Sequence, residues 1–218
     1  MNPSWPELAP GSSSRGVLDG PAGHLEYKLE LPSGPVAGVA LICHPHPLYG
    51  GSMDNKVVYT LARVALGLNM VALRFQFRGV GESAGSHDEG HGEAEDAAFL
   101  LDLLREAWPD QPAVAMGFSF GAYMALKVAA ARDDLAALVC IAPPLAYARV
   151  GAVPEPACDW LIVHGREDEV VSYEDTRTRS LAMGRTPDWV EVPSAGHFFH
   201  AQLGRLREAV EPWLAARL

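Results

Sequence analysis

Residues 113–131 have the sequence AVAMGFSFGAYMALKVAAA. Residues 113–118 form a short apolar run typical of a buried strand, and the residues after position 119 are rich in helix formers. At the junction lies a G-x-S-x-G motif, Gly117-Phe118-Ser119-Phe120-Gly121. Between a strand and a helix, this motif predicts a sharp turn that lifts the Ser119 hydroxyl above the sheet, next to the partial positive charge of a helix N-terminus.

The rest of the chain repeats this alternation of strand and helix. Apolar or alternating segments predict strands at residues 24–31, 36–43, 70–75, 113–118, 135–142, 159–164 and 189–193, and helical periodicity predicts helices at residues 55–66, 93–108, 120–131, 173–183 and 203–218. Most of these strands are apolar throughout, which indicates an α/β fold with a mostly parallel sheet between two layers of helices. Because ligands of such sheets bind at the carboxyl ends of the strands, we expect the loops after residues 43, 118 and 164 to meet at one site.

The length of 218 residues suits one domain. Residues 1–20 are rich in Pro, Gly and Ser, so we expect a flexible N-terminal lead-in, followed by a single domain over residues 21–218. The lead-in lacks the basic and apolar regions of a secretory signal, and no apolar run in the chain approaches the roughly 18 residues of a membrane helix. We therefore expect a cytoplasmic protein that does not bind membranes.

Net charge and cysteine content indicate which partners and which compartment suit the protein. The net charge of -10 would repel phosphates, which argues against nucleic acid and anionic membranes as partners. Cys43, Cys140 and Cys158 are odd in number and form no C-x-x-C pair. We interpret them as buried free thiols in a reducing compartment.

A serine nucleophile needs a general base and an acid that orients the base. Residues 164–169 (HGREDE) follow one predicted strand, and residues 194–198 (SAGHF) follow the last one. Ser119, Asp168 and His197 thus occur in the chain order that accompanies this motif, each in a loop just after a strand. We predict that these residues are the nucleophile, the orienting acid and the general base, respectively.

Neighbouring residues offer alternatives to this assignment. Glu167 and Glu169 could replace Asp168 as the acid. We interpret His200 as a surface residue and His164, at the end of a strand, as structural.

Two other patterns suggest metal or cofactor chemistry. The His-Pro-His of residues 44–46 and the two histidines of residues 87–91 invite a metal site, but the glycines around the second pair indicate a loop and not the helix on which that spacing chelates a metal. The Gly-Val-Gly of residues 79–81 is similar to a dinucleotide loop, but its third glycine is misplaced and the chain has no Walker sequence. We expect neither a metal ion nor a cofactor.

The chain resembles the α/β-hydrolase superfamily, in particular its small lid-less branch related to dienelactone hydrolases and short-chain carboxylesterases. The resemblance extends from about residue 36 to residue 200 and rests on Cys43-His44-Pro45-His46-Pro47, Phe77-Arg78-Gly79-Val80-Gly81-Glu82-Ser83, Gly117-Phe118-Ser119-Phe120-Gly121, His164-Gly165-x-x-Asp168 and Ala195-Gly196-His197-Phe198-Phe199. It implies an α/β-hydrolase fold without a cap domain. The implied activity is that of a carboxylesterase that acts on small or short-acyl esters through an acyl-enzyme, with no cofactor.

The resemblance also implies an oxyanion hole built from two backbone N–H groups. One belongs to Phe120, the residue after the nucleophile. Family members usually have His-Gly after the third strand, with the other donor just beyond, whereas this chain has His44-Pro45. Because proline has no N–H, the donor is His46 by position, or Leu48 if the loop is longer, and we prefer His46.

The segment between the fifth and sixth of these predicted strands bears on substrate size. Residues 143–157 are too few for a helical cap, so we expect an open site that suits short acyl groups. Tyr49, Phe120 and Phe198 could line the substrate pocket, although core packing explains each of them equally well.

The sequence leaves several reactions open. Thioester hydrolysis, lactone opening and acyl transfer use the same triad as ester hydrolysis. A rival of another class is a hydrolase-like binding module without catalysis, against which the complete triad argues. We expect a small-molecule ester as substrate and a monomer or small homo-oligomer.

Overall fold

The structure, a computed structural model, describes residues 5–147 and 155–218. The strands are β1 (Ser13–Gly20), β2 (Gly23–Glu30), β3 (Gly38–Cys43), β4 (Met70–Phe75), β5 (Ala113–Phe118), β6 (Ala137–Ile141), β7 (Asp159–Gly165) and β8 (Asp188–Val192), and the helices are α1 (Lys56–Gly67), α2 (Gly92–Ala107), α3 (Phe120–Ala130), α4 (Tyr173–Leu181) and α5 (Leu203–Ala215). Short 3-10 turns lie at Pro47–Tyr49 and Leu145–Tyr147.

The described strands form one sheet in the order β1-β2-β4-β3-β5-β6-β7-β8. β1 and β2 form an antiparallel hairpin, β2 pairs antiparallel with β4, and every other neighbouring pair is parallel. Strands β3 to β6 are buried at every residue, which explains why their sequences are apolar except for Arg74 of β4, whose buried guanidinium pairs with Glu30. The prediction of a mostly parallel α/β fold is confirmed.

Alternating side chains of the central strands feed two cores, one on each face of the sheet. Leu41 of β3 packs in the core that contains residues of α2 and α3, whereas the adjacent Ile42 packs in the core that contains residues of α1 and α5. The helices therefore form two layers around the sheet, and the carboxyl ends of β3, β5, β7 and β8 are left for loops.

The prediction of a flexible lead-in over residues 1–20 is wrong for the part that the structure describes. β1 pairs with β2 along its whole length, from Ser13 opposite Glu30 to Gly20 opposite Gly23. The side chains of β1 alternate between half-buried and exposed, so the strand has no continuous apolar signature. It is held by backbone pairing with β2, by the Arg15–Glu26 ion pair and by the packing of Leu18 against the core. Residues 1–4 lie outside the described part of the chain.

Trp5 anchors the segment that precedes β1. Its ring meets that of Tyr27 edge to face at a centroid distance of 5.2 Å, and its indole N–H donates to the carbonyl oxygen of Leu103 at 3.3 Å. The N-terminal segment therefore packs against both the hairpin and α2.

The connection between β6 and β7 covers residues 142–158. Its described part contains the short turn Leu145–Tyr147 and no longer helix, while residues 148–154, within the predicted loop 143–157, lie outside the described residues. Across the described ranges, no helix combines the length and apolar character that a bilayer span requires.

We predict that Trp5→Ala lowers the free energy of unfolding by about 1–2 kcal/mol, because it removes the indole from the β1–β2 hairpin and α2. Val17→Thr, at a β1 side chain that is 45% exposed, keeps the β-branched shape and is the matched control. Denaturant unfolding measures both variants. Equal stability of the two variants would show that residues before β1 do not contribute to the fold.

Candidate active site

Ser119 occupies the junction between β5 and α3 in a strained backbone conformation. Its φ of 54° and ψ of -122° are rare for a residue with a Cβ. Its N–H donates to the carbonyl oxygen of Ile141 at 2.8 Å, and its own carbonyl accepts from Ala122 and Tyr123 to begin α3. The turn is thus held by the neighbouring strand β6 on one side and by the helix on the other.

The glycines of the motif are required because backbone segments approach closely. A Cβ on Gly117 would lie 2.2 Å from the carbonyl oxygen of Gly121. A Cβ on Gly121 would lie 2.3 Å from the carbonyl oxygen of His44 and 2.4 Å from that of Cys43. The second contact brings the loop after β3 directly against the first turn of α3.

The three predicted catalytic side chains lie together in a hydrogen-bonded chain. His197 Nε2 is 3.0 Å from Ser119 Oγ, and His197 Nδ1 is 2.8 Å from Asp168 Oδ2. Ser119 and His197 are buried, and the Asp168 side chain is fully buried. Since a carboxylate accepts at Nδ1, the neutral imidazole presents its lone pair at Nε2 to the serine hydroxyl, as a general base must.

The Asp168 carboxylate is held by four donors. Its Oδ1 accepts from the N–H groups of Val170 at 2.9 Å and Val171 at 2.7 Å, and its Oδ2 faces His197 and His164. Burial of the carboxyl acts to raise its pKa. Hydrogen bonds from His164, His197 and the Val171 N–H lower it by more, so the net pKa of Asp168 lies well below the ordinary value. The acid is therefore a stable anion beside His197.

The loop after β3 lies beside the turn that carries Ser119. The half-buried His46 ring contacts the rings of Phe120, His87 and Tyr49 at centroid distances of 4.8, 4.8 and 4.7 Å. The N–H of Leu48 donates to His46 Nδ1 at 3.2 Å, so it is engaged within its own loop. The assignment of His46 as the second oxyanion donor stays a prediction.

Two of the three aromatic residues that could line the substrate pocket are exposed. Tyr49 is 86% exposed and Phe198 is 43% exposed, and Phe198 meets the His197 ring at a centroid distance of 5.1 Å. Leu48, next to Tyr49, is 68% exposed. These side chains form an apolar rim on the loops that carry His46 and His197. Phe120, in contrast, is buried in the core beneath them.

Residues 42–160, more than half of the chain, match the family model Hydrolase_4, described as "Serine aminopeptidase, S33". Two solved structures are similar over nearly the whole chain. An α/β serine hydrolase homologue from Coxiella burnetii is 38% identical, and the match covers 96% of this chain and 100% of the homologue with a TM-score of 0.89. A serine hydrolase without a lid from Xanthomonas campestris, also 38% identical, covers 95% and 98% with a TM-score of 0.86. This chain belongs to the lid-less α/β serine hydrolases.

A further relative is similar to this chain over most of its length. An uncharacterized protein of Rickettsia prowazekii (strain Madrid E) is 32% identical to the hydrolase over 209 residues, which are 90% of this chain and 87% of the relative.

Sequence reasoning missed the role of Glu169 in this hydrolase. Its carboxylate accepts the backbone N–H of His197 at 3.1 Å, and a Cβ on Gly196 would lie 2.7 Å from the same carboxylate. Glu169 therefore fixes the loop that carries His197, while Asp168 fixes its ring. The sequence shows that Asp168 and Glu169 are adjacent, but it does not show that one contacts the His197 ring and the other the His197 backbone.

His44 is a second residue whose role the sequence did not reveal. It is fully buried; its Nδ1 donates to the carbonyl oxygen of Pro45 at 2.6 Å, and its Nε2 accepts from the N–H of Phe77 at 3.0 Å. Both ring nitrogens are thus used, and the ring ties the loop after β3 to the loop after β4. Among the residues that the structure describes, no group of three or more His, Cys, Asp or Glu side chains could hold a metal ion.

The remaining histidines and acids follow the sequence interpretation in part. His200 and Glu167 are exposed. His87 is mostly buried in the loop before α2, where its Nδ1 is 2.6 Å from the buried carboxylate of Glu93. His164, interpreted as structural, is buried, and its Nε2 lies 3.2 Å from Oδ2 of Asp168.

We predict that Gly121→Ala destabilises the hydrolase by about 3 kcal/mol or more and abolishes activity, because the new Cβ would meet backbone carbonyls that cannot move away cheaply. The matched control is Gly204→Ala in the first turn of α5, where a Cβ would have no heavy atom within 4 Å. Denaturant unfolding and an activity assay measure both. Normal activity and stability in Gly121→Ala would contradict the close approach of the loop after β3 to α3.

A further prediction concerns the pH dependence of stability. Burial lowers the pKa of His44 from 6.5 to about 4, against the opposing hydrogen bond to Pro45. As pH falls from 6.5 to about 4, the unfolded chain binds a proton at His44 that the folded chain does not, so this residue reduces stability in that window. His44→Gln, which retains an acceptor for the Phe77 N–H, lacks this proton uptake.

The free energy of unfolding of the wild type is therefore expected to approach that of His44→Gln as pH is lowered through this window. Urea unfolding at a series of pH values measures the difference. A difference that stays constant from pH 7 to pH 4 would show that His44 titrates alike in the folded and unfolded chains.

Proposed function

We propose that this hydrolase cleaves small or short-acyl carboxylic esters through an acyl-enzyme formed on Ser119. The observation that supports the proposal most strongly is the hydrogen-bonded chain from Ser119 Oγ through His197 to Asp168, with distances of 3.0 and 2.8 Å. The nucleophile, the base and the acid are in contact before any substrate binds, which is the arrangement that nucleophilic catalysis by serine requires.

In the acylation half-reaction, Ser119 Oγ attacks the ester carbonyl carbon while its proton passes to His197 Nε2. The Asp168 carboxylate stabilises the imidazolium that forms. The carbonyl oxygen becomes an oxyanion and accepts hydrogen bonds from the backbone N–H groups of Phe120 and His46. When the intermediate collapses, the bond to the alcohol oxygen breaks, and the leaving alkoxide takes the proton from His197.

The deacylation half-reaction uses the same groups, with water as the nucleophile and Ser119 as the leaving group. A water molecule loses its proton to His197 Nε2 and attacks the acyl carbon in the place left by the alcohol. Collapse of the second intermediate breaks the acyl bond to Ser119 Oγ, which regains the proton from His197. The products are the carboxylic acid and the resting enzyme, and no external co-reactant besides water is needed.

The exposed rim supports the preference for small substrates. Leu48 and Tyr49 on one loop and Phe198 on another offer apolar contacts at the mouth of the site, but none of them encloses a long chain. Without a lid, each added methylene of the acyl group gains little burial and so little binding energy.

The reduced thiols of Cys43, Cys140 and Cys158 support a cytoplasmic location for the reaction.

The test compares p-nitrophenyl acetate, butyrate and octanoate with alanine p-nitroanilide, the last because the family description names aminopeptidases. We expect the wild type to hydrolyse acetate and butyrate faster than octanoate and the anilide. Ser119→Ala is expected to lose a factor of about 10⁴ or more in kcat/KM, since it removes the nucleophile. Ser13→Ala, at an exposed serine of β1, is the matched control and is expected to behave as the wild type.

Two results would contradict the proposal. Equal ester hydrolysis by the wild type and Ser119→Ala would exclude Ser119 as the nucleophile. Hydrolysis of the anilide with no hydrolysis of any ester would replace the ester with an amide as the substrate class.

A further inference from the structure

The triad acid has a second histidine neighbour that ester hydrolysis does not use. His164 lies near the end of β7 with its side chain fully buried. Its Nε2 is 3.1 Å from the carbonyl oxygen of Val171 and 3.2 Å from Oδ2 of Asp168. Both neighbours are acceptors, because the carboxylate is an anion and the carbonyl has no hydrogen. Nε2 therefore carries the ring hydrogen and shares it between them.

The surroundings of the His164 ring fix this tautomer. Nδ1 is buried and has no hydrogen-bond partner within the described ranges of the chain. The ring stacks on Trp189 at a centroid distance of 5.9 Å with an interplanar angle of 23°, and Tyr173 meets it edge to face at 5.6 Å. A hydrogen on Nδ1 would have no acceptor, whereas a hydrogen on Nε2 has two.

The same carboxylate oxygen therefore receives two imidazole N–H groups. Asp168 Oδ2 accepts from His197 Nδ1 at 2.8 Å, and His164 Nε2 approaches it at 3.2 Å. We propose that His164 is a positioning residue that acts through Asp168 and limits the basicity of His197. This inference rests on the proposed function of the triad. A donor at Oδ2 withdraws charge from the carboxylate, which then stabilises the His197 imidazolium less.

Val171 couples this effect to the shape of the acid loop. Its N–H donates to Asp168 Oδ1 at 2.7 Å, and its carbonyl accepts from His164 Nε2. His164, Val171 and Asp168 thus form a closed ring of contacts that holds the carboxylate in one orientation toward His197. Loss of the His164 donor would both release charge onto Oδ2 and free one side of this ring.

Other ionisable groups face this cluster from the neighbouring elements. From α4, Tyr173 donates its hydroxyl to Glu191 of β8 at 2.6 Å, and Arg177 lies over the Trp189 ring at 5.0 Å. On the acid loop, Arg166 pairs with Glu174 and lies over the Tyr173 ring. The same loop carries Glu167 and Glu169, and His200 lies beside Phe198. Within the described residues, only His164 and His197 bring a side-chain donor to the Asp168 carboxylate.

The test is the pH profile of kcat/KM for p-nitrophenyl acetate with His164→Phe and His164→Gln. His164→Phe keeps a flat ring against Trp189 but has no donor, so we expect the acid-side inflection of the kcat/KM profile to move to a pH about 0.5–1 unit higher. His164→Gln places an amide N–H near the position of Nε2, so it is expected to restore the wild-type profile. Glu191→Gln removes a charge behind the aromatic rings and is the control that leaves the profile unchanged.

A merely structural role for His164 predicts a lower kcat or a lower melting temperature with no shift of the profile, and that result would overturn the proposal. So would an equal shift in Glu191→Gln, because the effect would then be long-range. If the wild type hydrolyses no ester, the proposed function fails before this question arises; if the wild type is active and only the shift is missing, this inference alone fails.

A measurement on the wild type keeps the proposal testable if His164→Phe does not fold. In protein with ¹⁵N-labelled histidine, the ring-nitrogen shifts of His164 are expected to show the Nε2–H tautomer throughout the pH range of the activity profile. An Nδ1–H tautomer would contradict the inference, since His164 could not then donate to Asp168.

Discussion

The positive φ of Ser119 is the constraint on which the rest of the site depends. It turns the chain from β5 directly into α3, so the serine stands at a strand end and at a helix N-terminus at once. The strain is sustained because the Ser119 N–H bonds to β6 and its carbonyl begins the helix. The same turn brings Gly121 against the carbonyls of Cys43 and His44, so the loop after β3 can lie beside Ser119 only if position 121 has no side chain.

Hydrogen bonds then join the loops to one another before a substrate arrives. His44 links the loop after β3 to the loop after β4, and Glu169 links the acid loop to the backbone of His197. His164 adds a link between β7 and the carboxylate of Asp168. Such contacts cost little reorganisation during the reaction, which is how preorganised dipoles and donors lower a barrier. The apolar rim, in contrast, is exposed.

Much of this arrangement could be predicted from sequence because it depends on local patterns. β4 and β5 lie at the predicted residues, since β5 is apolar throughout, β4 is apolar except for Arg74, and both end at clear loops. The positions of Ser119, Asp168 and His197 follow from strand ends and chain order. β1 could not be predicted, because an edge strand without an apolar face is stabilised by its partner strand. The partners of Glu169 could not be predicted either, since they lie on a loop that is distant in sequence.

The central claim is that His197 and Asp168 activate Ser119, and covalent labelling with a fluorophosphonate tests it most directly. The reagent loses fluoride and forms a phosphorus–oxygen bond only with an activated serine hydroxyl, whatever the natural substrate is. Intact mass and peptide mapping are expected to show one label per chain, located on Ser119, and almost none in His197→Ala. An unlabelled wild type would contradict the account and favour a fold of this family that binds without catalysis. A label on another residue would contradict the assignment of Ser119 as the nucleophile.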